Sequence, residues 1–260
     1  MSGGDWVVVI PVKAFAAAKS RLRPQLGAEQ RAALARAFAL DTVDAVRRAD
    51  RVAEVVVVTG ETALGAELAA LPEVELVPEP GEPGLTSAIE LGIAHVRHGG
   101  GRHLAVLLGD LPALRSGALD DALDAACGHR LAFVADLEDT GTTLVTALAG
   151  TGLRPGFGPD SAAAHRSAGF AELSALGDID PGLRRDVDTV EALEAALGLG
   201  VGPRTAEVVA AFADEALPHA DAEASAAASV QASAEASARK TGSRPRVLTT
   251  QQFSAEGDQS

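Results

Sequence analysis

Cysteine is almost absent from this chain. Of its 260 residues only Cys127 is a cysteine. A single cysteine forms neither an internal disulfide framework nor a cysteine-based zinc site, and it suits a reducing compartment. We therefore expect a cytoplasmic protein held together by its hydrophobic core, which a hydrophobic content of 47% can fill.

Long apolar runs are also missing. No stretch reaches the length of about 18 apolar residues that a membrane-spanning helix needs. The first apolar run, residues 6–12, is short and is followed by Lys13, so it does not resemble the apolar region of a signal peptide. We expect no transmembrane helix and no membrane partner.

Basic residues are scarce, with 22 Lys and Arg against 36 Asp and Glu and a formal net charge of −14. Nucleic-acid binding needs a basic surface, so no nucleic-acid partner is expected. Lys13, Lys19 and Arg21 nevertheless follow one another with no acid between Asp5 and Glu29. This cluster is a candidate site for a small polyanion, and a solvated loop is the alternative.

Two common nucleotide-binding motifs are missing as well. Neither GxxxxGK[ST] nor GxGxxG follows the first apolar run. Their absence argues against a P-loop NTPase and against a dinucleotide-dependent oxidoreductase. A triphosphate would instead be surrounded by backbone amides and by Lys13, Lys19 and Arg21 in the segment IPVKAFAAAKSRL.

Apolar runs of strand length alternate with amphipathic segments. The predicted strands are Trp6–Val12, Val55–Thr59, Val74–Val77, Leu104–Leu108 and Leu131–Ala135. The predicted helices are Ala28–Arg48, Thr86–Val96 and Ser116–Ala126. This alternation predicts an α/β fold with a largely parallel sheet covered on both faces. Ligands bind such sheets beyond the carboxyl ends of the strands, at the loops after Val12, Thr59 and Leu108.

The composition changes near residue 213. Residues 214–260 are rich in Ala, Ser, Glu and Gln and contain almost no large apolar side chains. They cannot fill a core, so we predict one folded domain over residues 1–213 and a disordered tail over residues 214–260. A transient helix with an interaction role is the alternative for the Ala-rich part of the tail.

Carboxylates follow the strands at two places where a divalent cation would suit them. Asp110, in GDLPAL, comes directly after an apolar strand, and Mg²⁺ takes one or two carboxylates together with substrate phosphates. Asp186 and Asp188 would face the same side of an extended segment and complete the site. The alternatives are that Asp110 caps a helix before Pro112 and that the second segment only begins a helix at Thr189.

A possible anion site lies in the segment FGPDSAAAHR. Gly158, Pro159 and Asp160 precede a predicted helix at Ser161, whose free N–H groups would suit a carboxylate or a phosphate. Asp160 is expected to cap this helix. His165 and Arg166 are expected at the surface.

The segments VKAFAAAKSRL, GDLPAL, FGPDSAAAHR and RDVDT occur in this order, and together they resemble the 2-phospholactate guanylyltransferases of coenzyme F420 biosynthesis and their actinobacterial relatives that use phosphoenolpyruvate. The resemblance covers nearly all of residues 5–210. It implies a Rossmann-like nucleotidyltransferase fold in a single domain, with a mostly parallel mixed sheet, a reversed strand near its end and helices on both faces.

The resemblance also implies the reaction. GTP and a phosphorylated acid, either phosphoenolpyruvate or 2-phospho-L-lactate, would give a guanosine diphosphate conjugate and pyrophosphate with Mg²⁺ as cofactor. The Ala-, Gly- and Arg-rich composition is typical of a high-GC actinobacterial protein. Because the actinobacterial relatives use phosphoenolpyruvate, the composition favours this acid. A downstream transferase of the same pathway and a second copy of this chain are further candidate partners.

Residue roles carry over from the matching motifs. Asp110, Asp186 and Asp188 would hold the metal, and Lys13 and Lys19 would act with Asp110 in catalysis. Lys13, Lys19 and Arg21 would neutralise the nucleotide phosphates. The acid would be bound by Thr142, Gly158 and Ser161. Thr86 would contact the nucleotide at a position where family members commonly have Asn.

Two other functions stay open at this point. The fold could serve another phosphorylated substrate, such as 3-phosphoglycerate, a molybdopterin or a sugar phosphate. A protein that binds a partner through its acidic surface and tail, without catalysis, is the alternative from a different class.

Overall fold

The structure is a computed structural model that describes residues 4–13, 19–22, 25–80, 84–97 and 101–212. The boundary predicted near residue 213 therefore falls at the end of the described part. The predicted tail, residues 214–260, and the middle of the first cationic motif, residues 14–18, lie outside it.

Seven strands form one mixed sheet in the order β3-β2-β1-β4-β6-β5-β7. They are β1 (Trp6–Val12), β2 (Val52–Thr59), β3 (Val74–Pro78), β4 (His103–Leu107), β5 (Leu131–Ala135), β6 (Thr142–Ala147) and β7 (Ala171–Glu172). Only β6 is reversed, running antiparallel to β4 and β5. The predicted mixed sheet is confirmed, although β2 begins earlier than predicted and β4 ends at Leu107 rather than at Leu108.

Helices cover both faces of the sheet, as the alternation of strands and helices predicts. They are α1 (Ala28–Arg47), α2 (Thr62–Leu68), α3 (Leu85–Arg97), α4 (Ser116–Ala126), α5 (Ser161–Ser167), α6 (Leu173–Leu176), α7 (Pro181–Arg184) and α8 (Val190–Leu199). Residues 203–212 are also helical. Within the described residues, no helix has the length and apolar character needed to cross a membrane.

The alternation of side chains along β1 explains why the sheet has an apolar core on each face. Val8 and Ile10 pack with α1, α2 and α4 on one face of the sheet, whereas Val7 and Val9 pack with α3 on the other. Successive side chains of a strand point to opposite faces, so a strand that is apolar throughout is buried on both sides. The run Trp6–Val12 is buried along its whole length.

A third apolar cluster covers the outer side of α1. Leu34 and Phe38 pack there against α8 and the helical residues 203–212. This layer also buries Asp41, whose carboxylate accepts hydrogen bonds from the N–H groups of Arg204 at 3.2 Å and Thr205 at 2.8 Å. The acid is therefore satisfied by the start of the last helix, where free N–H groups need an acceptor.

We predict that Gly92 is required where α3 packs on the sheet. A Cβ at Gly92 would overlap Val9 Cγ1 and lie 2.9 Å from Val58 Cγ2, and valine side chains have little rotamer freedom to give way. Gly92→Ala should lower the free energy of unfolding in urea by about 1–3 kcal/mol.

The matched control is Gly117→Ala on α4, where a Cβ meets nothing within 4 Å. Because alanine has the higher helix propensity, this control should raise the free energy of unfolding by no more than about 1 kcal/mol. Equal stabilities of the two variants would contradict the close packing at Gly92.

Candidate active site

A pocket of about 600 Å³ lies at the carboxyl edge of the sheet, where parallel sheets bind ligands. Its wall combines the ends of β1 and β4, the start of the antiparallel β6, the beginning of α5 and the loop before α8. Nine of the ten predicted site residues line it: Lys13, Lys19, Arg21, Asp110, Thr142, Gly158, Ser161, Asp186 and Asp188.

Thr86 is the predicted residue that does not line the pocket. Its side chain is exposed on the first turn of α3. The preceding residue, Leu85, contributes to the wall instead. The structure thus places an apolar side chain of α3, and not the Thr86 hydroxyl, at the pocket.

The three predicted metal-binding carboxylates are brought together by a backbone contact. The Asp110 carbonyl accepts a hydrogen bond from the Val187 N–H at 3.2 Å. This bond ties the loop after β4 to the loop before α8, which carries Asp186 and Asp188 on either side of Val187. Asp186 and Asp188 thereby line the same pocket as Asp110.

Asp186 and Asp188 do not belong to a strand of the sheet. Residues 185–189 form an irregular segment between α7 and α8. The alternative role of the segment as a helix start is confirmed, because Thr189 Oγ1 accepts a hydrogen bond from the Ala192 N–H at 3.2 Å. One segment therefore both caps α8 and contributes two carboxylates to the pocket.

Lys19 lies between two of these carboxylates. Its Nζ donates to Asp110 Oδ2 at 2.5 Å and to Asp188 Oδ1 at 3.0 Å, and only 6% of its side chain is exposed. Burial disfavours the charged ammonium, but the charges and hydrogen bonds of Asp110 and Asp188 outweigh this and raise the pKa of Lys19. Lys19 is therefore a fixed positive charge.

The other two predicted cations are open to a ligand. Lys13 is exposed at the end of β1. The Arg21 guanidinium lies 4.0 Å from Asp188 Oδ2 with 74% of its side chain exposed. Burial tends to raise the pKa of Asp188, but Lys19, Arg21 and Lys13 together hold it below its usual range. Asp188 is therefore ionised.

The raised pKa of Asp186 indicates that negative charge in the pocket is not fully balanced. Burial, followed by the negative charges of Asp110 and Asp188, raises the pKa of Asp186 to about 7, although Lys19 acts in the opposite direction. Like charges this close cannot all ionise cheaply without a further cation. Perturbed carboxylates of this kind are typical of functional sites.

The donor set fits a divalent cation. Asp110 Oδ1 is buried and has no hydrogen-bond partner within the described part of the chain. An orphaned buried oxygen is costly unless a ligand or a metal satisfies it. Hard divalent cations prefer carboxylate oxygens, and this pocket is lined by Asp186 and Asp188 as well as by Asp110.

A second acidic group shares Asp186. One ligand atom each from Asp136, Glu138 and Asp186 lies within 4.8 Å of the others. The Asp136 carboxylate, however, already accepts hydrogen bonds from the N–H groups of Thr140 at 2.9 Å and Gly141 at 2.7 Å. Asp136 therefore holds the turn between β5 and β6, whereas Asp110 keeps an oxygen free.

Hydroxyl groups dominate another part of the wall. Thr142 begins β6 and Ser161 begins α5, and both are almost fully buried. The expected free N–H groups at the start of α5 are wrong for its first two residues: the N–H of Ser161 donates to the Gly158 carbonyl at 3.2 Å, and that of Ala162 to the Thr140 carbonyl at 3.1 Å. An anion here would rely on side-chain hydroxyls more than the sequence predicts.

Asp160 does not cap α5 with its side chain. It precedes the helix with a φ of 56° and makes no side-chain capping bond. A positive φ is uncommon for a residue other than glycine, although aspartate is among those that tolerate it. The expected capping role of Asp160 is wrong.

His165 is buried, which corrects the expected surface position. It is 2% exposed, with Nδ1 lying 3.0 Å from Thr142 Oγ1 and Nε2 accepting from the Gly156 N–H at 3.0 Å. Burial lowers the pKa of His165, while a backbone hydrogen bond to Ser161 acts in the opposite direction. Arg166 is exposed as expected, and it forms a bidentate ion pair with Glu172.

Sequence reasoning missed Asp136 and Phe157 as pocket-lining residues. A signal for Asp136 was present, because it directly follows the predicted strand that ends at Ala135, just as Asp110 follows β4. The sequence marked Phe157 as a pocket residue only through its position in the FGPDSAAAHR segment.

Comparisons with known proteins show the family of this chain. Residues 6–159 match the family described as "Guanylyl transferase CofC like". A protein from Streptomyces scabiei named phosphoenolpyruvate guanylyltransferase is 48% identical over 79% of this chain and 96% of its own length. A protein of the same name from Mycobacterium ulcerans is 42% identical over 80% of this chain and 94% of its own length.

A solved structure supports the fold. A nucleotidyl transferase from Methanothermobacter thermautotroptrophicus superposes with a TM-score of 0.54 at 19% identity, over 76% of this chain and 98% of its own. The family match, the sequence relatives and the carboxylate-lined pocket agree, and the chain belongs to the CofC-like guanylyl transferase family of nucleotidyltransferases.

Proposed function

We propose that this protein transfers GMP from GTP to phosphoenolpyruvate, forming enolpyruvoyl-2-diphospho-5'-guanosine and pyrophosphate for coenzyme F420 biosynthesis. The observation that carries the proposal is that one pocket combines the carboxylates of Asp110, Asp186 and Asp188 with three cations and with the hydroxyl groups of Thr142 and Ser161. The names of the relatives from Streptomyces scabiei and Mycobacterium ulcerans support phosphoenolpyruvate over 2-phospho-L-lactate as the acid.

The reaction requires the protein to position the two substrates and to neutralise their charge. A phosphate oxygen of the acid forms a bond to the α-phosphorus of GTP, and the bond to the pyrophosphate breaks with its electron pair on the leaving group. The nucleophile is already an anion, so no side chain has to remove a proton. In-line alignment and neutralisation of the triphosphate supply the rate enhancement.

Asp110, Asp186 and Asp188 would hold Mg²⁺, with the oxygen of Asp110 that lacks a partner as the most available ligand. When bound, the cation neutralises the phosphates and the developing charge on pyrophosphate. Lys13 and Arg21, which are exposed towards the pocket, would contact the phosphates directly. Lys19 would hold Asp110 and Asp188 in place and add a third positive charge.

Thr142, Gly158 and Ser161 would bind the carboxylate of the acid. Thr142 and Ser161 are 4% and 1% exposed, and Thr142 Oγ1 already lies 3.0 Å from His165 Nδ1. Phosphoenolpyruvate and 2-phospho-L-lactate differ little in size, and a single well-placed contact can separate such substrates. Leu85 lines the pocket and Thr86 does not, so Leu85 is the better candidate for a direct contact with the nucleotide.

The cellular setting is part of the proposal. A free, exposed Cys127 suits the reducing cytoplasm. Because the conjugate would have to be consumed by a further transfer, a downstream transferase is the natural protein partner. A homodimer is the simplest assembly, which light scattering of the purified protein would test.

We predict pyrophosphate release when the purified protein is mixed with Mg²⁺, GTP and phosphoenolpyruvate. Crossing ATP, GTP, CTP and UTP with phosphoenolpyruvate, 2-phospho-L-lactate and 3-phosphoglycerate tests nucleotide and acid together. Asp110→Asn should reduce the rate by at least about 100-fold, because the residue acts on charge that develops in the transition state.

Asp121→Asn, an exposed acid on α4, is the matched control and should keep wild-type activity. Turnover with 3-phosphoglycerate alone would contradict the proposed acid. A fully active Asp110→Asn variant would remove Asp110 from the mechanism.

We predict that Mg²⁺ stabilises the protein more at pH 8 than at pH 6. The pKa of Asp186 is about 7 in the folded protein, against about 3.9 in an unfolded chain. The folded state therefore holds a proton on Asp186 between these values, and the metal-free protein loses stability as the pH rises through them. Above pH 7 the ionised carboxylate gains most from a bound cation.

The measurement is the midpoint of thermal unfolding with and without MgCl₂ at both pH values. In Asp186→Asn, which cannot ionise, the extra stabilisation at pH 8 should disappear. Equal shifts of the midpoint at pH 6 and pH 8 in the wild type would show that Asp186 does not take part in metal binding.

A further inference from the structure

The imidazole of His165 occupies a closed aromatic compartment behind the pocket wall. Its ring centroid lies 5.3 Å from that of Phe133, 5.9 Å from Phe157 and 5.0 Å from Phe170. The chain has seven Phe residues and no Tyr, so a large share of its aromatic rings encloses this one side chain. The compartment keeps water away from both ring nitrogens, and the proton must be placed by protein groups.

The hydrogen bonds of the ring fix its tautomer. Nε2 accepts from the Gly156 N–H at 3.0 Å, and a backbone N–H can only donate. In the neutral imidazole the proton therefore resides on Nδ1, which faces Thr142 Oγ1 at 3.0 Å. Burial lowers the pKa of His165 and keeps the ring neutral.

This tautomer orients the Thr142 hydroxyl. The Nδ1 proton faces Oγ1 at 3.0 Å, with the Ser161 backbone as a second acceptor for the ring, and within the described residues Oγ1 has no other side-chain or backbone partner. Its own hydrogen is then free to point to the pocket that Thr142 lines. A hydroxyl that could otherwise rotate between donating and accepting is held as a donor.

We infer that His165 is a positioning residue that fixes Thr142 as a hydrogen-bond donor and thereby selects an anionic acceptor, such as a carboxylate, at this part of the pocket. Through Nε2 the same ring holds Gly156, two residues before Gly158. One buried side chain thus sets both the β6 and the α5 sides of the acid subsite. The inference rests on the proposed binding of the acid at Thr142 and adds the residue that prepares it.

The first test is the protonation state of His165 in the ligand-free protein. Long-range ¹H–¹⁵N NMR distinguishes a proton on Nδ1 from one on Nε2, and His165→Phe identifies the signal among the six histidines. If that variant does not fold, His165→Asn serves the same purpose. A proton on Nδ1 is expected, and a proton on Nε2 overturns the inference whether or not the protein is an active guanylyltransferase.

The second test is a double-mutant cycle on the steady-state kinetics. His165→Phe should raise the KM for phosphoenolpyruvate by about 10-fold or more, the loss expected for a hydrogen bond to a charged group. The KM for GTP should change by less than about 2-fold, since the hydrogen bonds of His165 reach Thr142, Gly156 and the Ser161 backbone and no cation of the pocket. In a Thr142→Val background the same substitution should have an effect of less than about 2-fold, because the hydroxyl that it orients is gone.

His165→Asn is the conservative variant, since its amide can still donate from near the position of Nδ1. It should recover part of the lost affinity for phosphoenolpyruvate in the Thr142 background and none in the Thr142→Val background. A merely structural role would show in either of two results. His165→Phe would raise the KM for phosphoenolpyruvate by the same factor in the Thr142 and Thr142→Val backgrounds, or it would raise the KM values for phosphoenolpyruvate and GTP in parallel. Wild-type protein without GTP-dependent turnover would instead defeat the proposed function, and the NMR result would still decide the tautomer.

Discussion

Negative charge is concentrated at the carboxyl edge of the sheet, and the need to balance it governs the pocket. Asp110, Asp186 and Asp188 line one cavity, with the buried Lys19 ammonium bound to two of them. The charge of Lys19 does not satisfy the whole group: Asp186 has a pKa of about 7, and Asp110 Oδ1 has no partner among the described residues. The pocket thus keeps negative charge that a bound cation would balance.

The scaffold fixes this arrangement through a few backbone links. The loop after β4 is tied to the loop before α8 by the Val187 N–H, and the Arg184 side chain bonds the carbonyls of Ala135 and Asp136 at the end of β5. Segments far apart in sequence thus meet at one edge. Preorganised groups of this kind need little rearrangement when charge develops in the reaction, and such electrostatic preorganisation is a large part of enzymatic rate enhancement.

Much of this could be predicted from the sequence, because strong local patterns carry it. β1 and β5 have the predicted bounds, and the acid after the apolar run 103–107 marked Asp110. His165 could not be placed in the same way. It is buried by Phe133, Phe157 and Phe170, and a seven-residue helix has too few residues for a periodic signal. The irregular loop of Asp186 was likewise fixed by tertiary contacts and not by strand propensity.

The position of a bound cation tests most directly whether Asp110, Asp186 and Asp188 form the metal site of this nucleotidyltransferase. We would soak crystals with Mn²⁺ and a non-hydrolysable GTP analogue and calculate the anomalous difference map at the manganese absorption edge. Metal binding by these carboxylates predicts a peak in contact with Asp110 and Asp186. A peak only between Asp136 and Glu138, or none in the pocket, would contradict it.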